Sequence, residues 1–99
     1  MALTPEAKVK NAVRKVLDEL GVYYFCPATG GFGRSGVGDF VGCVNGRFFM
    51  IECKAEGGVV TELQKRELRR VKLNGGISGT VKPSTMEKFK TFFTEIANG

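Results

Sequence analysis

An apolar stripe with helical spacing runs through the N-terminal part of the chain. Residues three or four positions apart fall on one side of a helix, so the stripe predicts an amphipathic helix. Thr4 supplies an N-cap oxygen, Pro5 suits the first helical position, and Gly21 marks the end of the helix. The stripe consists of Val9, Ala12, Val13, Val16, Leu17 and Leu20.

Three runs of β-branched and aromatic residues follow, and they predict three strands at positions 22–26, 39–44 and 47–54. Asn45-Gly46 separates the second run from the third and is the strongest short signal for a two-residue type I′ hairpin turn. Such a turn pairs Val44 with Arg47, and this pairing sets the register of the whole hairpin.

The rest of the chain predicts a helix, a strand and a last helix. A capping box at positions 61–64 opens the second helix, and Gly75 and Gly76 end it. Positions 77–82 form the fourth predicted strand, and a second capping box at positions 84–87 opens the last helix. The resulting order, αβββαβα, predicts an α/β fold with helices flanking a small mixed sheet.

The composition is typical of a globular protein with a basic surplus of charge. The chain is 42% hydrophobic and 25% charged, which fits one domain over residues 1–99. Fifteen Lys and Arg residues against ten Asp and Glu residues give a net charge of +5, which favours an acidic polymer as partner. No apolar run approaches a membrane span or the core of a signal peptide, so a cytoplasmic location is predicted.

The residue types present narrow the chemistry. The chain has no histidine, which excludes a Ser-His-Asp triad, a Cys-His pair and imidazole metal ligands. Three cysteines, with no CxxC spacing and each in an apolar run, are predicted to be buried free thiols. Carboxylates, lysine, hydroxyls or a hard metal ion that prefers oxygen ligands must therefore supply any catalysis.

A glycine-rich segment, "PATGGFGRSGVG", lies between the first two predicted strands. It contains a formal GxGxxG pattern, but a strand follows it instead of the helix that a dinucleotide site requires. We therefore reject a nucleotide-cofactor site and predict that Arg34 and Ser35 can contact a phosphate.

The hairpin register brings three charged residues to one end of the sheet. Asp39 is predicted to lie directly opposite Glu52, and the alternation of side chains places Lys54 on the same face. Facing carboxylates repel each other unless a cation compensates them, and their oxygens suit Mg²⁺ or Mn²⁺. A plain salt bridge of Lys54 with either carboxylate at a strand end is the alternative interpretation.

These residues resemble a known nuclease signature. Asp39, twelve intervening residues and then Glu52-Cys53-Lys54 match the PD-(D/E)XK pattern, and the αβββαβ order resembles its restriction-endonuclease-like core. Within that superfamily the chain is most similar to the VRR-NUC family, through the glycine-rich loop, "GDF", "IECK" and "TELQ". The resemblance spans positions 4 to about 82, and it departs at Gly38, where the superfamily usually has proline.

The resemblance implies a metal site and a catalytic lysine. Asp39 and Glu52 would bind Mg²⁺ or Mn²⁺ together with the backbone carbonyl of Cys53, and Lys54 would act on the attacking water and the scissile phosphate. Gln64 matches a glutamine that supports such sites, although it also completes a capping box. Glu6 matches a helical glutamate that can act as a further ligand, although it also suits the helix dipole.

The function implied is that of a Mg²⁺- or Mn²⁺-dependent DNA endonuclease acting on branched DNA such as Holliday junctions. The same resemblance implies a homodimer in the cytoplasm of a bacterium or a phage-infected cell. Lys65 begins a basic run, "KRELRR", with a solvated helix face as one interpretation. The other interpretation is that the run lines a DNA groove together with Lys8, Lys10, Arg14, Lys15 and Arg34. Two other functions stay open: a DNA-binding module that does not cleave, and a metal-dependent phosphohydrolase acting on small substrates.

Overall fold

The computed structural model describes residues 3–28 and 35–99, and their elements follow the predicted order. The strands form one sheet in the order β1-β2-β3-β4, in which β1, β2 and β3 are antiparallel neighbours and β4 runs parallel to β3. This mixed sheet confirms the predicted α/β class. None of the helices in the described ranges has the length and apolarity to cross a bilayer. The elements are α1 (Pro5–Glu19), β1 (Tyr23–Phe25), β2 (Phe40–Val44), β3 (Arg47–Cys53), α2 (Glu62–Leu73), β4 (Ile77–Val81), a 3₁₀ turn (Pro83–Thr85) and α3 (Met86–Asn98).

The hairpin between β2 and β3 has the predicted turn and register. Asn45 and Gly46 both adopt positive φ angles, 47° and 81°, as a type I′ turn requires. Backbone pairing then runs from Val44 opposite Arg47 to Phe40 opposite Ile51. The ladder therefore ends one residue short of the predicted charged pair.

The two faces of the sheet are covered by different helices. Alternate residues of the strands pack with α1 and α3 in the main core, and Ile51, Cys53 and Ile77 belong to this set. Ser78 points the opposite way, and its hydroxyl donates a hydrogen bond to the Leu68 carbonyl of α2. Because side chains alternate along a strand, the residue between Ile51 and Cys53 also points towards the α2 face.

The predicted capping box at the start of α3 is wrong. A 3₁₀ turn starts at Pro83, so Ser84 lies inside that turn and not at the helix cap. Its amide and hydroxyl both donate to the Glu56 carboxylate at 2.8 Å. Ser84 thereby fastens the loop after β3 to the start of the last helix.

The three cysteines form no disulfide with one another, as predicted, but the prediction of burial is only partly correct. All three cysteines are free, but only Cys53 is buried, while Cys26 and Cys43 are exposed. Cys43 lies on the sheet face opposite to that of its core neighbour Val44, and Cys26 follows the short edge strand β1. An apolar sequence context therefore did not ensure burial.

Gly38 is packed against the backbone of β3. A Cβ atom at this position would lie 2.8 Å from the Ile51 carbonyl oxygen and 2.9 Å from Cγ of Met50. Glycine, at the position where the resembled superfamily usually has proline, therefore allows a close approach of two chain segments.

Gly38→Ala is expected to destabilise the protein by about 1–3 kcal/mol, the usual cost of overpacking a tight site. Gly57→Ala is the matched control, because a Cβ at Gly57 meets no atom within 4 Å. Urea unfolding would measure both variants. Equal stability of the two would show that the segment at Gly38 relaxes freely.

Candidate active site

The side chain of Asp39 contacts β3 just beyond the last backbone pair of the hairpin, Phe40 with Ile51. The residue lies at a bend before β2, and its Oδ2 accepts a hydrogen bond from the Cys53 N–H at 2.8 Å. This bond holds the carboxylate against the end of β3. The side chain is 21% exposed, so it lines the surface of the site and stays within reach of solvent.

Glu52 is a buried carboxyl group held against Asp39. Its side chain is only 5% exposed and is hydrogen-bonded to the Asp39 carboxylate. Burial above all, and then the charge of Asp39, raises the pKa of Glu52 to about 8. Glu52 therefore carries a proton near neutral pH and donates it to Asp39, because burial and the repulsion of two adjacent carboxylates outweigh the attraction of Lys54.

Lys54 completes the predicted trio. Its Nζ lies 4.0 Å from Oε1 of Glu52, and its side chain is 13% exposed. The ammonium acts against the other two effects on Glu52 and lowers the pKa of that group. The structure thus brings Asp39, Glu52 and Lys54 together at one end of the hairpin, as the register predicted.

The site also contains Lys10, which the sequence predicted as a groove-lining cation but not as a neighbour of the carboxyl pair. Its Nζ lies 3.2 Å from Oδ1 of Asp39 and 3.6 Å from Oε2 of Glu6. Burial opposes the ammonium form, but the charge of Asp39 and then that of Glu6 outweigh it and raise the pKa of Lys10. The only sequence signal was the i,i+4 spacing of Glu6 and Lys10, which is common on solvated helices.

Glu6 is linked to Asp39 of the carboxyl pair through their shared neighbour Lys10. Its side chain is 42% exposed and makes an ion pair with the lysine. Within residues 3–28 and 35–99, no three side chains of Asp, Glu, Cys or His are grouped so that they could hold a metal ion. The carboxylates available at the site are therefore Asp39 and Glu52, and a ligand role for Glu6 remains a prediction.

Gln64 occupies the cap of α2. Its side-chain Oε1 accepts a hydrogen bond from the Thr61 backbone N–H at 2.9 Å, and its backbone N–H donates to the Thr61 hydroxyl at 3.2 Å. These are the reciprocal bonds of a capping box. Gly36 packs on this turn, where an added Cβ would lie 2.6 Å from the Leu63 carbonyl oxygen. The capping interpretation is confirmed, and the supporting role of Gln64 in catalysis remains a prediction.

Of the three residues predicted to contact DNA, the structure describes two, Ser35 and Lys65. Arg34 lies outside the described residues. Ser35 is exposed in a turn, and Lys65 is exposed on α2, where it makes an ion pair with Glu62 at 3.4 Å. These positions leave Ser35 and Lys65 accessible to a large partner.

The donor atoms at the site fit a hard divalent cation. Asp39 and Glu52 are hydrogen-bonded to each other, and a cation bound between them would displace the shared proton. Mg²⁺ is typically bound by one or two carboxylates together with waters and substrate phosphates, and the two carboxyl groups here agree with that number. Burial keeps the pKa of the Cys53 thiol far above its usual range, so Cys53 can contribute its backbone carbonyl but not a thiolate.

The raised pKa of Glu52 predicts a pH dependence of stability in the metal-free protein. Glu52 binds a proton more tightly when folded, so the stability it contributes is present at low pH and is lost as the pH rises through about 8. As the pH rises from about 5 to about 8, the free energy of unfolding of Glu52→Gln should increase by roughly 3 kcal/mol relative to that of the parent protein. Urea unfolding in EDTA would measure this gain. The exposed Glu95→Gln is the control, and equal slopes in both variants would contradict the shift.

Comparison with known proteins adds no family assignment. No protein-family model matches the chain, and no curated protein matches it. Its function is therefore inferred from the geometry around Asp39 and Glu52 and from the resemblance of its sequence motifs.

Proposed function

We propose that this protein is a metal-dependent DNA endonuclease that hydrolyses phosphodiester bonds, preferably in branched DNA such as Holliday junctions. The meeting of Asp39, Glu52 and Lys54 at the end of the hairpin carries the proposal. A salt bridge at a strand end needs one carboxylate and one ammonium. A salt bridge alone does not explain why a second carboxyl group is buried beside the first, because burying that group is costly.

Asp39 and Glu52, with the backbone carbonyl of Cys53, would hold Mg²⁺ or Mn²⁺. The chemistry that such a metal would supply is polarisation of a phosphoryl oxygen and a lower pKa of a coordinated water. The fit rests on two facing oxygen donors and on the absence of a competing thiolate.

The chain's own contribution to hydrolysis is charge and orientation. The water oxygen forms a bond to phosphorus and releases one proton to solvent. The bond from phosphorus to one sugar oxygen breaks, and that sugar oxygen takes up one proton from solvent. Lys54 can donate hydrogen bonds to a non-bridging phosphoryl oxygen, and its low exposure strengthens that interaction. Lys10 holds the Asp39 carboxylate in position through their 3.2 Å ion pair.

Exposed basic side chains support a polymeric substrate over a small phosphate ester. Those on α2 are Lys65, Arg66, Arg69, Arg70 and Lys72, and the whole chain carries a net charge of +5. Side chains of this kind bind the phosphates of a nucleic acid by releasing its counterions. A small substrate would fill the carboxylate site without using them.

The decisive test compares a four-way junction, a flap and a plain duplex, each incubated with Mg²⁺, Mn²⁺ or EDTA. We expect cleavage of the branched substrates with either metal and none in EDTA. Failure to cut any of the DNAs, combined with hydrolysis of nucleotides or p-nitrophenyl phosphate, would overturn the endonuclease in favour of a phosphohydrolase. Junction binding without any hydrolysis would favour a binding module.

A homodimer is proposed because two strands of a junction are cut symmetrically only by two sites. The edge strand β1 presents Tyr23 and Phe25 to solvent, and exposed apolar residues of this kind often lie in interfaces. Light scattering at micromolar concentration, with and without a four-way junction, should give twice the chain mass. A monomer in both conditions would instead indicate an enzyme that nicks one strand.

A further inference from the structure

A polar cavity adjoins the carboxyl pair on the side of α1. Its volume is about 250 Å³, and its described lining includes Lys10, Arg14, Cys26 and Asp39. Lys10 and Arg14 are one helical turn apart on α1, so both cationic side chains reach the same space. Because Asp39 belongs both to this lining and to the candidate active site, a ligand in the cavity would lie next to the reacting group.

The charge in this cavity is only partly neutralised. Lys10 is paired with two carboxylates, Asp39 and Glu6. Arg14 forms no ion pair with a carboxylate of residues 3–28 or 35–99; its guanidinium donates to Oδ1 of Asn11 at 3.1 Å and to Sγ of Cys26 at 3.8 Å. The charge of Asp18 acts on Arg14 from a distance, but no carboxylate of the described residues lies within ion-pair distance of the guanidinium.

The guanidinium of Arg14 is also held in a defined orientation. Its Cζ lies 5.5 Å from the centroid of the Phe40 ring, and the bond to Asn11 fixes one of its nitrogens. A guanidinium has five N–H donors, and these contacts leave several of them for a ligand. Parallel N–H groups on such a planar fork match two oxygens of a phosphate.

We propose that this cavity is a phosphate-binding subsite that takes the phosphodiester next to the cleaved one in the substrate strand. Arg14 binds two of its oxygens and Lys10 supplies the second cation. The assignment rests on the proposed nuclease function, and it adds a contact that positions the strand without acting on the scissile bond.

Two cysteines allow a direct test in the intact protein. Cys26 lines the cavity and Cys43 does not, yet both thiols are free and exposed. Alkylation by N-ethylmaleimide is followed at each residue by mass spectrometry in EDTA, so that no DNA is cut. An oligonucleotide at ten times its dissociation constant should slow alkylation of Cys26 by about tenfold and leave Cys43 unchanged.

Variants connect this protection to the guanidinium. Arg14→Gln should abolish the protection of Cys26, and Arg14→Lys should restore part of it, because lysine keeps the charge but loses the fork. Lys90→Gln is the matched control, since it removes one charge from an exposed helical position outside the cavity. Each variant is compared with itself without DNA, because Arg14 also contacts the reporter thiol.

The outcomes separate the subsite from the nuclease. Equal protection of both cysteines, or protection that survives Arg14→Gln, overturns the subsite. Inorganic phosphate protecting Cys26 as effectively as the oligonucleotide would show a site for free anions and also overturn it. Protection without cleavage in Mg²⁺ would reject the nuclease and keep the cavity as a site for a phosphate of a bound strand. Cleavage with Cys26 unprotected would keep the nuclease and reject the subsite.

Discussion

Lys54→Ala is expected to lower cleavage of a four-way junction by at least ~10²-fold, the scale of losing one preorganised electrostatic group. Lys54 acts on charge that develops during the reaction, so its loss affects the transition state more than the bound substrate. Binding of the same junction in Ca²⁺ should therefore change little, because one phosphate contact among several alters affinity modestly. Single-turnover cleavage and a binding titration would measure the two effects separately.

The fold should survive this substitution. Lys54 follows the last residue of β3, and the Glu52 beside it remains protonated and hydrogen-bonded to Asp39. Lys90→Ala is the control for loss of one positive charge at an exposed position. Normal cleavage by Lys54→Ala would show that the lysine is only a salt-bridge partner. An unfolded variant would show that the charged end of the strand stabilises the fold.

Asp39→Asn is expected to weaken Mn²⁺ binding by more than ~100-fold, since losing a ligand exceeds the 10–100-fold effect of losing an outer-shell partner. Asparagine is preferable to alanine here because its carbonyl oxygen can still accept the Cys53 N–H, which the aspartate accepts at 2.8 Å. The variant therefore removes the charge and keeps the hydrogen bond that fastens the segment to β3. Calorimetric titration with Mn²⁺ would measure the loss.

Two further variants make the calorimetric result specific. Glu95→Gln removes an exposed carboxylate on α3 and should bind Mn²⁺ like the parent protein. Glu6→Gln tests the third carboxylate, which contacts Lys10 at 3.6 Å; a large loss would identify it as a ligand after all. Undiminished Mn²⁺ binding by Asp39→Asn would show that Asp39 is not a metal ligand.

Local signals in the sequence predicted the elements that carry the site. Asn45-Gly46 allows positive φ at two successive positions, and this alone determined the turn and the pairing of Val44 with Arg47. The period of two along a strand then placed Glu52 and Lys54 together. Each of these signals acts between residues that are close in the chain or joined by one turn, which explains why they could be read from the sequence.

Only the tertiary structure decided which residues meet across elements. Lys10 approaches Asp39 because α1 packs on the sheet, and no local spacing encodes that contact. Gly38 has no room for a side chain because β3 passes beside it. The charge state of Glu52 follows the same rule: its identity is written in the sequence, but its protonation depends on burial and on the distance to Asp39, which only the packed fold sets.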